Sequence, residues 1–331
     1  MSKMNKRSII ILLVLVAAIA GGVAYFSMNK SKPNQVVVGV HSWPGGGIVY
    51  VGQQKGFFKE EGIDVVVKKI ENFDTKRATL ISGQIDIDVA NTLDQLLIYN
   101  ENGFPAQIIG ITDQSNGGDG LVSRDSITDV QQLKGKTIAY AEASPSDFFL
   151  RYILKANNVD LKSVNFKPVA DPQIAGNAII AKQVDAAVTY EPWLSQAAKE
   201  NGLHILIDTK KYPTLIPGLL IASGDKVNAN KEIYAKFLRA WFKSADYYYS
   251  HKEEAQKIIS VGMGMKIEEV KDILSVVDIQ TKELNRKLID KSTPNNLFEL
   301  LTNINLFWKE NGFVKKDLQT DKMLNTELIL E

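Results

Sequence analysis

Three short segments of this 331-residue chain place polar and glycine residues directly after apolar runs, where chemistry is often done. The first is Ser42-Trp43-Pro44-Gly45-Gly46-Gly47, the second Asp113-Gln114-Ser115-Asn116-Gly117-Gly118-Asp119-Gly120, and the third Tyr190-Glu191-Pro192-Trp193. The glycines of the first let backbone approach a ligand closely, and Trp43 can stack on a planar or apolar group. That segment lacks the Lys-Ser/Thr ending of a nucleotide-binding loop. The alternative for Trp43 is a place in the core. The second segment carries Asp113, Ser115 and Asp119 as polar ligand contacts, and the competing reading is a solvated turn, for which Asn, Gly and Asp are suited. Its spacing does not match an EF-hand. In the third, Pro192 suits the first turn of a helix, and Glu191 is either a ligand contact or a helix cap.

Other chemistries are closed by composition. There is no cysteine, which excludes disulfides, thiolate metal sites and cysteine nucleophiles. The three histidines, His41, His204 and His251, are scattered, so no histidine metal site is expected. His41 sits at the first strand end, where it could touch a ligand, and the favoured reading is a satisfied core histidine. No Gly-x-Ser-x-Gly elbow or serine–histidine–acid set is present, so no enzyme activity and no cofactor are expected. The 39 basic and 38 acidic side chains are balanced, which argues against a nucleic-acid partner.

Short Val- and Ile-rich runs alternate with stretches of helical length. Strands are expected at 36–40, 63–67, 85–90, 106–111, 137–141, 165–169, 184–190 and 219–223, followed by a helical tail after about Asp225. Such alternation predicts βαβ units in parallel-rich sheets. Two internal echoes suggest two lobes of similar construction. Ile81-Ser82-Gly83-Gln84-Ile85-Asp86 is matched by Ile180-Ala181-Lys182-Gln183-Val184-Asp185, with Asn91-Thr92 and Tyr190-Glu191 following the respective strands. Ser42-Trp43-Pro44 is matched more weakly by Ser144-Pro145-Ser146. Ligands of open parallel sheets bind beyond the carboxyl ends of the strands, where these residues fall, so two facing lobes would line one cleft with them.

The N-terminus has Lys3, Lys6 and Arg7 before an uncharged run from Ser8 to Met28. This is the layout of a secretory signal, with Ala18-Ile19-Ala20 as a cleavage site, or of a retained membrane-spanning helix. Either predicts an exported protein at the outer face of the cytoplasmic membrane or in the periplasm. Residues 29–35 read as a linker.

Ser42-Trp43-Pro44-Gly45, Lys55-Gly56-Phe57-Phe58-Lys59-Glu60-Glu61-Gly62-Ile63-Asp64-Val65, Ser82-Gly83-Gln84-Ile85-Asp86, Leu133-Lys134-Gly135-Lys136-Thr137-Ile138-Ala139 and Val184-Asp185-Ala186-Ala187-Val188-Thr189-Tyr190-Glu191-Pro192-Trp193 occur in this order. The set resembles the nitrate/sulfonate/taurine solute-binding proteins, the SsuA/THI5-like, NMT1-type receptors of ABC importers, over roughly residues 36–250. The resemblance implies an α/β, type II periplasmic-binding-protein fold. Lobe one would comprise residues 36–113 and 218–331, and lobe two with its hinge crossings 114–217. It also implies a monomer that captures a small nitrogen- or sulfur-containing solute and delivers it to a membrane permease with its ATPase. An anchored sensor would use the same fold, and a pyrimidine-synthase type of enzyme is the remote alternative. The expected ligand contacts are Ser42, Trp43, Pro44, Asp74, Asn91, Thr92, Asp113, Ser115, Asp119, Ser144, Ser146, Tyr190 and Glu191. The loops expected to face the cleft are acidic and poor in Lys and Arg, which predicts a ligand with a positive or proton-donating nitrogen.

Overall fold

Val- and Ile-rich runs form strands because branched side chains pack well on a pleated, buried surface. In the computed structural model, which describes residues 34–212 and 214–331, all eight expected strands are present. The expectations for the N-terminal signal or anchor lie outside the described residues. In chain order the strands are β1 (Gln35–Val40), β2 (Asp64–Lys69), β3 (Ile87–Asn91), β4 (Ala106–Ser115), β5 (Asp119–Arg124), β6 (Thr137–Ala141), β7 (Asn165–Val169), β8 (Ala186–Tyr190), β9 (Leu203–Asp208), β10 (Pro217–Ser223) and β11 (Val277–Ile279). They build two sheets, ordered β11-β4-β10-β3-β1-β2 and β7-β6-β8-β5-β9.

The sheets are mixed rather than parallel-rich. The β1–β3, β6–β7 and β6–β8 pairs are parallel. In contrast, β10 lies antiparallel between β3 and β4, and β5 antiparallel between β8 and β9. The chain leaves the first sheet at the end of β4 and enters the second as β5. It returns from β9 through residues 209–216 into β10. Strands that have just crossed run back against their neighbours, which the count of strands and helices could not reveal.

The sequence echo has a concrete counterpart. Asp86 and Asp185 precede β3 and β8, which pair in parallel with β1 and β6. The Asp86 carboxylate accepts from the Val37 N–H at 2.9 Å, and Asp185 accepts from the Thr137 N–H at 2.9 Å. Each aspartate also returns its own N–H to the carbonyl of that same residue. The residues three back, Gly83 and Lys182, both adopt positive φ, of 74° and 59°. Each sheet therefore contains the same turn, built from the same residue pattern.

Helices cover both sheets. The 20-residue helix Lys231–Ser250 buries Phe237 and Trp241, and Phe237 stacks on Phe58 at 5.3 Å. Beneath the helix Phe73–Ile81, Lys76 and Asp88 form a fully buried ion pair at 2.8 Å. Asp88 also accepts from Tyr99 Oη at 2.8 Å and from Asn91 Nδ2. Lys76 donates in addition to the Val89 carbonyl. Removing one member of such a pair leaves a charge that water cannot reach. Lys76→Met is expected to cost about 3–5 kcal/mol of unfolding free energy. Lys76→Met/Asp88→Asn should recover most of it, as read by urea titration; equal losses in the single and double variants would refute the pairing.

Candidate functional site

The carboxyl ends of β1, β3, β6 and β8 converge where the two sheets meet, and they border a cavity of about 30 Å³. From the first sheet it is lined by His41, Trp43, Thr92 and Asp113, and from the second by Asp119, Pro145 and Tyr190, with Phe73 and Ile216 at its margin. That volume admits a water or two.

Trp43 is placed by a tight turn after β1. Pro44 opens the short 3-10 turn Pro44–Gly47, where its missing N–H costs nothing. The indole then spans the sheets. Its Nε1–H donates to Asp113 Oδ2 at 2.7 Å, and its ring meets Tyr190 edge-on at 5.9 Å. Asp113 also accepts from the Thr112 hydroxyl at 2.5 Å. A Cβ at Gly45 or at Gly218 would overlap the Asp113 carboxylate, so only glycine permits this close approach at both positions. Burial raises the Asp113 pKa to about 6, against the lowering effect of the Thr112 and Trp43 donors.

Asp119 opens β5 and faces Asp113. Its pKa is pushed to about 7, first by burial and then by the charges of Asp113, Glu191 and Asp94, with Ser115 opposing. Asp94 is likewise raised to about 6 by burial, although Thr92 and Gln95 oppose the rise. Gln95 donates to Asp94 at 3.1 Å and across the cleft to the Ala143 carbonyl at 2.7 Å. The Tyr190 phenol is held protonated by burial and by Asp119. Desolvated carboxylates facing one another without a cation favour the protonated form. Among the described residues, no group of three or more His, Asp or Glu side chains is arranged to hold a metal.

Trp43, Thr92, Asp113, Asp119 and Tyr190 thus line the cavity, whereas several other expected contacts have different duties. Asp74 stands on the surface with 81% of its side chain exposed, paired with Arg77, because it falls on the outer face of its helix. Glu191 is occupied as a helix cap, accepting from the Ser195 N–H at 3.2 Å and hydroxyl at 2.5 Å. Asn91 bonds Asp88 and the Thr92 N–H. The Ser115 hydroxyl bonds that of Thr209 at 2.8 Å, which also accepts from the Gly117 N–H, so it ties the two strand crossings together. Ser144 caps the helix Pro145–Ala156 by accepting from the Ser146 N–H. Ser42 is half-buried and its N–H donates to Glu71. Ser146 is buried, with a hydroxyl that makes no hydrogen bond. The sequence reading favoured a core place for His41 and passed over Phe73, and Pro145 entered it only within the Ser144-Pro145-Ser146 echo. The position of His41 beside Ser42, at the end of β1, was the available signal.

A family model described as NMT1/THI5 like matches residues 43–255. A Bacillus subtilis protein named for binding aliphatic sulfonates is 24% identical over 293 residues, 86% of each chain. A Saccharomyces cerevisiae protein named 4-amino-5-hydroxymethyl-2-methylpyrimidine phosphate synthase is 24% identical over 225 residues, covering 63% of this chain and 65% of its own. Among solved structures, the periplasmic aliphatic sulphonate binding protein of Escherichia coli superposes with a TM-score of 0.75 at 16% identity, over 91% of this chain and 100% of the other. The fold is that of the periplasmic binding proteins.

The raised carboxyl pKa values fix a sign. A carboxyl whose native pKa exceeds its unfolded value binds protons more tightly when folded, so it lowers stability as pH rises between the two values. Asp119→Asn removes that effect. The variant is expected to exceed the parent in stability at pH 7.5 by about 1–4 kcal/mol and to match it near pH 4. His41, whose pKa is depressed, produces the opposite slope in both proteins and cancels in the difference. Parallel pH-dependent denaturation of the two proteins measures this, and a difference independent of pH would contradict the assignment.

Proposed function

The chain belongs to the NMT1/THI5-like family, and from that premise we propose that it is the extracytoplasmic solute-binding component of an ABC importer, which closes its two sheet-centred lobes over a small ligand bearing a protonated or N–H nitrogen. The observation that carries this reading is the cavity between the sheets, which Asp113 and Asp119 both line with neutral donors only. A ligand nitrogen would supply the missing partner, since a desolvated carboxylate is costly until it is paired. Ligand pockets for small organic molecules are usually several hundred Å³, an order of magnitude above about 30 Å³. Entry therefore calls for the lobes to part and close again, as hinged binding proteins do. The crossings Asn116–Gly118 and 209–216 are the two segments that would bend.

The yeast relative carries the name of a synthase, and the bacterial relatives those of sulfonate binders. The acidic cavity favours a nitrogen donor over a bare oxyanion, which would meet Asp113 and Asp119 with like charge. A zwitterion satisfies both. Export, delivery to a permease and action as a monomer complete the proposal.

A thermal-shift screen of the purified protein against nitrogen and sulfur nutrients tests it. A ligand at one hundred times its dissociation constant adds about 2.7 kcal/mol. With the ligand in hand, small-angle scattering should show compaction on saturation. Asp119→Asn should weaken binding by roughly thirtyfold or more, the expected loss for one partner of a buried charged contact, although the same substitution stabilises the empty protein at neutral pH. Glu191→Gln, at a capping position, should change affinity far less. Unchanged affinity in Asp119→Asn would overturn the nitrogen-donor ligand, and turnover of a bound compound would overturn the receptor reading.

A further inference from the structure

Besides its carboxyl groups, the cavity lining carries one group of different character, His41. His41 is buried, lines the cavity and packs against Phe73 at 5.3 Å. Behind it lies Lys76, whose ammonium is 3.1 Å from His41 Nδ1 and 2.8 Å from Asp88. An ammonium has donors only, so Nδ1 must be the acceptor and the imidazole proton must sit on Nε2. The second ring nitrogen makes no hydrogen bond in the structure. Beside it on the same lining, the buried Thr92 hydroxyl is directed to the Asp94 carboxylate. A ring nitrogen on the lining of a cavity, with the other nitrogen already engaged, is a donor free to meet whatever enters.

We propose that His41 is a specificity-determining residue of the cleft: Lys76, anchored by Asp88, holds its imidazole as the neutral tautomer whose Nε2–H donates to a ligand acceptor, while Asp113 and Asp119 receive a ligand donor. This rests on the reading of the cleft as a ligand site. The ligand class it defines is a small molecule with a donor nitrogen and an acceptor oxygen or nitrogen on one skeleton, either a zwitterion or a neutral amide-like group. A simple amine leaves Nε2–H unpaired, and a simple anion leaves the carboxylates unpaired, so both are discriminated against by an unmet buried group. Lys76 acts only through His41 and is a positioning residue. Burial and Lys76 both push the His41 pKa well below its usual value, which agrees with a neutral ring.

Long-range proton–nitrogen NMR of the intact protein at pH 7, with His41 assigned by loss of its signals in His41→Gln, reads the tautomer directly. The expected pattern is an unprotonated Nδ1 and a protonated Nε2. The opposite tautomer, or an imidazolium, overturns the proposal. In Lys76→Met/Asp88→Asn, which removes both charges of the buried pair, the pattern should relax to a mixture of tautomers; an unchanged pattern removes Lys76 from the account. Formamide, methylammonium and formate, each titrated to high concentration, then serve as probes. Formamide should move both the His41 Nε2 signal and the Asp119 carboxyl signal, and methylammonium the Asp119 signal alone. Movement of Asp119 with His41 silent towards formamide makes His41 structural and refutes its role. If no probe moves either signal, the cleft itself fails as a ligand site, and the proposed function falls with it.

Discussion

Asp113 is a carboxylate taken out of water and held by an indole N–H and a hydroxyl, with no cation beside it. Much of the structure follows from keeping it there. Two glycines, Gly45 from the turn after β1 and Gly218 from the start of β10, give it room. Trp43 reaches it from the first sheet while resting against Tyr190 and Gly118 at the second. The carboxylate thus organises the seam between the sheets, and its desolvation is the stored cost that a bound nitrogen would relieve.

The seam has further ties. Thr209 links both strand crossings through Ser115 and Gly117. Gln95 carries a contact from Arg77 and Asp94 to the Ala143 carbonyl across the cavity. On another side, the helix Leu297–Glu310 sets Phe307 and Trp308 against Phe148 of the helix Pro145–Ala156, at 5.4 and 6.3 Å, and Glu310 pairs with Lys155 at 2.7 Å. The exposed ion pair contributes little, whereas the aromatic contacts bury apolar area. Because the same helix begins at Pro145 in the cavity wall, contacts made by the C-terminal part of the chain are mechanically joined to the site.

The buried charges divide the cavity electrostatically. Lys76 and Asp88 neutralise each other beneath one wall, so Lys76 orients His41 at no net charge. Asp113 and Asp119 have no such cation, and burial favours their protonated forms, with Asp119 also raised by the charges of Asp113 and Asp94. Under the proposed function, a cleft of this kind would read both ends of a small molecule without a basic pocket.

The alternation of apolar runs with helical stretches, the absence of cysteine and the echoed Ile-x-x-x-x-Asp turns were sufficient to indicate an α/β chain with two similar sheets, since strand propensity and turn chemistry are local. Tyr190, Trp43, Thr92, Asp113 and Asp119 could be placed because they follow strands, and strand ends are where such sheets bind ligands. The short strands β5, β9 and β11 escaped notice: β5 begins within a glycine-rich stretch, and β9 is only half-buried, so neither offers a clean apolar period. Tertiary structure alone decided which polar groups remained available. Glu191, Ser115 and Asn91 have the right type and the right place in the chain, but neighbouring donors and carboxylates take up their hydrogen-bonding capacity. Asp74 was decided by which face of a helix met the sheet. His41 could be read from the sequence as a residue at a strand end, but not its contact with Lys76, 35 residues away, which exists only once the sheet and the helix above it have packed together.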